Sequence, residues 1–327
     1  MTRSSTLHRL RGFGAAAACL CVTSFAAAQA WPSKPIKLVV SYPPGGTVDA
    51  VARVIAPRLS ERLRQPVVVD NRAGAGGAIG GDAVAKSPAD GYTLLLDASN
   101  HAQNPALRSK MPFDTLRDLV PVSLLVKVPN VLVVTPSTPY RSVKDVLAQA
   151  KAKPGEINFA SSGNGSAQHL AGELFQAMGG VRMTHVAYKG GGPALTDVMA
   201  GQVPVFFASL ASSLPYIRGE KLRAIAVTGK TRSPVLPQLP TVAESGLPGY
   251  EAYEWNAILA PRGTPAPVVE RLATELAAIV QEPEVKSRLE AMGAEVLGSG
   301  PAELERFRRA EIEKWTKLAK DNRISLD

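Results

Sequence analysis

The stretch SYPPGGTVDAVAR, Ser41–Arg53, decides how the chain is read. The run before it, IKLVV, is β-branched and apolar, as a buried strand is. Pro43 and Pro44 stiffen the strand exit, while Gly45 and Gly46 let the backbone turn and approach another group closely. From Val48 to Arg64 a helix is expected, because Val51, Ile55, Leu59 and Leu63 recur on one face. Thr47 is placed to cap that helix, with Asp49 in its first turn, where the helix dipole favours a negative charge. A strand, a glycine turn and a helix start together aim backbone N–H groups at one point, and such a point binds anions without Lys or Arg. An ordinary strand-to-helix turn carries the same signature, so this stretch alone leaves both readings open.

The grammar repeats downstream. QPVVVDN, YTLLLDAS, NVLVVTP, EINFASS, MTHVAYK, QVPVFFAS, KLRAIAVTG and AYEWNAILAP read as further strands. Helical segments are expected at 142–152, 166–178, 193–200, 211–218, 266–281 and 302–321. Near-continuous apolar strands between helices imply an α/β fold with parallel sheet covered on both faces. The strand count favours two open sheets over a single wide one. The first half offers only three or four strands before 130, and the strand at 252–260 would complete its sheet if the chain returned to it. Two inter-domain crossings are therefore expected, near 126–130 and 230–252, the second rich in Pro and Gly. The domains become 31–128 plus 245–327, discontinuous, and 129–244, with a ligand cleft between them. Two crossings make a hinge, and hinges serve closure around a ligand.

Residues 1–30 read as a secretory signal peptide. Arg3, Arg9 and Arg11 precede an apolar run too short to span a bilayer, and AQA offers cleavage after Ala30. Export to the periplasm follows. Cys19 and Cys21 both fall in that leader, so the mature chain needs no disulfide and has no thiol nucleophile or ligand. Loss of the three leader arginines lowers the formal net charge of +9, and the remaining basic residues are scattered or paired with acids, as in EIEKWTKLAKD. No basic stripe interleaved with aromatics is present, which argues against nucleic acid as a partner.

Two more loops share the grammar of the first. NFASSGNGSAQHLAGELF, 158–175, places Ser161, Ser162, Gly163, Gly165 and the N-cap candidate Ser166 between a strand and a helix. HVAYKGGGPALTDVM, 185–199, ends a strand with Tyr188, Lys189 and glycines from Gly190. Ligands of open α/β sheets bind at the carboxyl ends of strands, so these loops converge on one cleft. They offer backbone donors more than charges, which suits a small carboxylate. His169 has no catalytic context here: SSGNGSAQ is not a G-x-S-x-G elbow. The rival reading is an exported α/β hydrolase or lyase using Ser166 and His169. Metal ligation has no motif, and the glycines at 74, 76 and 80 miss dinucleotide spacing by one, so no cofactor is expected.

WPSKPIKLVVSYPPGGTVDAVARVIAPRLSERLRQPVVVDNRAGAGGAIG resembles the Bug family of extracytoplasmic solute receptors, the substrate-binding proteins of tripartite tricarboxylate transporters. SPADGYTLLL, INFASSGNGSAQHLAGELF, HVAYKGGGPALTDVMAGQV, LRAIAVTG and LPTVAESGLPGYE are similar too, in family order. The resemblance implies a two-domain, type II-like periplasmic-binding-protein fold, each domain an open sheet flanked by helices. It also implies a monomer, no enzyme activity, and a small carboxylate held by loop amides and ordered waters. Family ligands include tricarboxylates, dicarboxylates, aromatic acids, some amino acids and nicotinate-like molecules. Carried onto this chain, the ligand site comprises Gly45, Gly46, Thr47 and Asp49; Asn100; Ser162, Gly163, Gly165, Ser166, Gln168 and His169; and Tyr188, Lys189 and Gly190. Asp49 can instead brace its loop, since an acid beside an anion site costs energy. Many relatives carry an acid where this chain has Ala208, which implies a ligand without an amino group. The partners implied are the membrane subunits of such a transporter, which can be encoded far away or be absent. A sensor for a membrane signalling partner would look the same.

Overall fold

The computed structural model describes residues 31–326. Residues 1–30, expected to be a signal peptide, and with them both cysteines, lie outside the described residues. The opening strand is β1 (Ile36–Val40), and the helix after the glycine turn is α1 (Thr47–Leu63). They are followed by β2 (Val67–Asn71), a 3-10 turn at Ala75–Gly77, α2 (Ala78–Ala85), β3 (Thr93–Ala98) and α3 (Asn100–Leu107). A long strand, β4 (Leu119–Val134), comes next. Beyond it lie α4 (Val143–Ala152), β5 (Asn158–Ser161), α5 (Ala167–Gly179), β6 (Thr184–Ala187), α6 (Gly191–Met199), β7 (Val205–Ser209), α7 (Leu210–Arg218) and β8 (Arg223–Val227). The chain ends with β9 (Tyr253–Pro261), α8 (Ala266–Val280), α9 (Pro283–Ala291), β10 (Glu295–Ser299) and α10 (Pro301–Asn322).

The two expected open sheets are present and are joined in one hydrogen-bonded path, β2-β1-β3-β9-β4-β7-β5-β6, with β10 on the first part of β4 and β8 on its last part. The reason is β4. Its apolar run LVPVSLLVKVPNVLVV continues without a turn signal, so one strand serves both halves. Its first part pairs with β9 and β10, and Asn130–Val134 pair with β7. The sheet is also mixed. β1 is parallel to β2 and β3, and β5 to β6 and β7, but β9 runs antiparallel to both β3 and β4. The expected return of the chain at 252–260 is β9, between β3 and β4. The Pro- and Gly-rich segment before it is tied down: Thr241 bridges to Val227, and the buried Tyr250 hydroxyl donates to Ala171 O at 2.8 Å.

Period-two alternation on β4 and β7 assigns each side chain a face. Leu132, Val134, Val205 and Phe207 join an apolar cluster with Phe159, Phe175 and Trp255. Val131, Val133, Phe206 and Ala208 join a second cluster with Ala160, Leu195 and Leu214. Asn130 and Ser209 are register partners at the strand ends, on the side of Leu132 and Phe207. Both are buried. The strand exits of β1 and β5 carry the two glycine loops; Gly45 (φ +88) and Gly165 (φ +71) adopt the left-handed conformation that favours glycine.

Candidate functional site

The loops expected to form the site are hydrogen-bonded to one another. Asn71, at the end of β2, donates from Nδ2 to Tyr42 O and to Asp49 Oδ1, both at 3.0 Å. The Tyr42 hydroxyl donates to Asn100 Oδ1, and Asn100 Nδ2 donates to Gly165 O at 2.9 Å. The first loop, the start of α3 and the second loop are thereby one hydrogen-bonded unit. Burial, then the charges of Asp97 and Glu254, push the Tyr42 phenol well above its ordinary pKa, so it stays a donor.

Asp49 braces the first loop. Its carboxylate accepts from Gly45 N at 3.0 Å and from Arg53 Nε at 2.8 Å, as well as from Asn71. Burial alone would raise its pKa; hydrogen bonds from Arg53, Gly45 and Asn71 outweigh that and hold it below the usual range. Thr47 does not cap the helix. Gly46 is the N-cap and α1 has no side-chain cap, so its first-turn N–H groups remain open. The Thr47 hydroxyl instead lies 3.5 Å from Ser209 Oγ.

The second loop spends most of its donors on itself. Gly163 N donates to Ser161 Oγ, Gly165 N to His169 Nδ1, and Ser166 N to Gly163 O, each at 3.1 Å. Ser166 is the N-cap of α5, its Oγ accepting from His169 N at 3.2 Å. What turns inward is polar side chain. Ser162 Oγ donates to Gln168 Oε1 at 2.6 Å, and Gln168 Nε2 reaches Asn130 Oδ1 at 3.4 Å. The third loop is pinned to the second: Gly190 N donates to Ser162 O and Tyr188 N to Ser161 O, both at 3.1 Å. The Tyr188 hydroxyl turns to Asp197 at 2.7 Å, and burial followed by that carboxylate pushes its pKa up to about 12. Lys189 is exposed.

The His169 ring cannot act as the base that a hydrolase would need. Its Nδ1 accepts from Gly165 N–H, which leaves the proton on Nε2, 3.6 Å from Glu173 Oε1. It stacks on His185, ring centroids 3.9 Å apart, and His185 Nε2 meets Ser161 Oγ at 2.6 Å. Burial, then the neighbouring His169, lowers the His185 pKa to about 3, so this ring is neutral. Both histidines pack the floor of the second loop against Phe159.

Ala208 lies apart from the others. It is fully buried in the apolar cluster of Val131 and Phe206, because alternation on β7 sends Ser209 to the first loop and Ala208 away from it. Sequence reading missed Ser209, Asn130 and Glu254. Glu254 on β9 lies close to the Thr47 and Gln168 side chains, one from each main loop. Burial pushes its pKa up to about 7, with partial relief from those two neighbouring donors. Its signal was available: a lone acid inside the apolar strand YEWNAILAP.

Known proteins share this architecture. Residues 51–324 match the model of the tripartite tricarboxylate transporter family receptor, TctC. The chain belongs to the TctC, or Bug, family. BugT of Bordetella pertussis is 41% identical over 301 residues, 91% of this chain and 92% of its own. A structure from R. palustris solved with adipate is 42% identical, with a TM-score of 0.84, covering 90% of this chain and 99% of that one. MatC of Rhodopseudomonas palustris, with bound malate, is 30% identical, with a TM-score of 0.79 over 88% of this chain and 99% of its own. The fold is accordingly the α/β periplasmic-binding-protein fold. The protein is a solute-binding member of the Bug receptors of tripartite tricarboxylate transporters, and not an enzyme.

Proposed function

We propose that the mature protein, cleaved after Ala30, captures a small organic carboxylate in the periplasm and delivers it to the membrane subunits of a tripartite transporter. The observation that carries this reading is the open start of α1. Its N–H groups lack a side-chain cap, and the helix dipole adds partial positive charge there. The Thr47 and Ser209 hydroxyls stand beside it. Such a site recognises a carboxylate by donors instead of by Lys or Arg. Relatives solved with adipate and with malate support the same ligand class. Gly45, Gly46 and Thr47 form one wall of the site; Asn100, Ser162 and Gln168 form the other, with Asp49 and His169 as braces. The lobes are 31–128 with 245–327, and 129–244, and they close on the ligand as a monomer. Titration of the purified protein with adipate and malate, each against its uncharged diamide, tests the reading.

A further inference from the structure

Glu254 is a carboxyl group placed among amides and hydroxyls. It reaches Thr47 at the anion-binding helix start and Gln168 on the facing loop. Among the described residues no Lys or Arg forms an ion pair with it. A half-buried carboxylate without a cation is uncompensated, and a ligand carboxylate at the start of α1 would bring a second negative charge beside it. Asn130 adds an independent observation. Its residue is fully buried, its Oδ1 accepts from Gln168, and its Nδ2 has no partner. Buried donors left without an acceptor are rare, and this one sits beside Gln168 on the second loop, where a ligand atom could satisfy it. The two features are complementary. Glu254 needs a donor, and Asn130 Nδ2 needs an acceptor. A hydroxyl supplies both, and an ammonium supplies the charge that Glu254 lacks.

We propose that Glu254 determines specificity by accepting a hydrogen bond from a hydroxyl or ammonium substituent on the captured carboxylate, so that hydroxy acids or amino acids are preferred over unsubstituted diacids. This rests on the small-carboxylate reading above. It also replaces the amine-free ligand expected from Ala208: the acid missing from β7 is present on β9, at a position that meets both loops.

The test is calorimetric titration of the mature protein with succinate, malate and aspartate, which share one carbon skeleton. Adipate and 2-aminoadipate repeat the comparison on a longer chain. A hydrogen bond to a charged group corresponds to at least about a tenfold preference for a substituted acid over its parent. Glu254→Ala brings parent and substituted acids to within about twofold of each other. Glu254→Gln keeps the shape and one acceptor oxygen, so it loses the ammonium preference and retains a hydroxyl preference. Melting curves of both variants establish that they are folded. Parent acids that bind the wild type as tightly as substituted ones overturn the proposal, as does a preference that survives in Glu254→Ala. Silence of all five acids with a folded wild type overturns the carboxylate reading itself, and this proposal with it.

Discussion

Replacing Asp49 with Ala separates bracing of the first loop from contact with the ligand. The substitution removes acceptors from Gly45 N–H and Asn71 Nδ2, each at 3.0 Å, and from Arg53 Nε at 2.8 Å. A hydrogen bond to a charged group contributes about 1.5–3 kcal/mol. The Arg53 side chain is 57% exposed, so that bond adds little, and Gly45 N can find water. The net destabilisation is about 3 kcal/mol, lowering the melting temperature by about 6 °C in a chain of this size. The difference has a defined pH dependence. The Asp49 pKa is held below its ordinary range, so its contribution is complete above the unfolded-state pKa of about 3.9 and is lost as pH falls through the lower folded value. The gap between wild type and Asp49→Ala is therefore constant from pH 7 to about 5 and closes in stronger acid. Differential scanning calorimetry at several pH values, with carboxylate titrations at pH 7, measures both quantities. A variant that melts within about one degree of wild type yet binds no ligand would refute the bracing role and make Asp49 a contact residue.

Two further outcomes follow from the floor of the second loop. His185, lowered from its ordinary 6.5 to about 3, contributes stability that is complete above pH 6.5 and declines as pH falls towards 3; ring chemical shifts should keep it neutral at pH 5, and a titration near 6.5 would contradict the account of its burial. Gly172→Ala would drive a Cβ into the Phe159 ring, destabilising by about 1–3 kcal/mol in thermal melts, and an unchanged melting temperature would disprove that packing.

The strand and helix signals were legible where apolar periodicity was strong. β1 and α1 match IKLVV and the helical stripe from Val51 to Leu63 nearly residue for residue. The short helices α2, α3 and α9 and the strand β10 escaped because each lacks a full amphipathic period or an apolar core run. The length of β4 was not legible because the expected strand begins only with NVLVVTP and the expected domain crossing at 126–130 divides the run, whereas register shifts after Pro121 let a single strand carry both parts. At the site, the loops were legible from glycine and serine spacing. The division of labour among their residues was not. Asp49 and His169 spend their polar atoms on bracing, while Asn130, Ser209 and Glu254 approach the loop residues Gln168 and Thr47 from three different strands. That convergence depends on strand order and on side-chain alternation, and both are tertiary facts.

The central claim is that backbone donors at the start of α1 hold a carboxylate. Titrating adipate and malate against their diamides, with the mature protein at pH 7, tests it most directly, since each pair differs little in size and fully in charge. A charged acceptor at such a site is favoured by about 1.5–3 kcal/mol per bond, so the acid should bind at least about a hundredfold more tightly than the diamide. Equal affinity of acid and diamide would contradict the account.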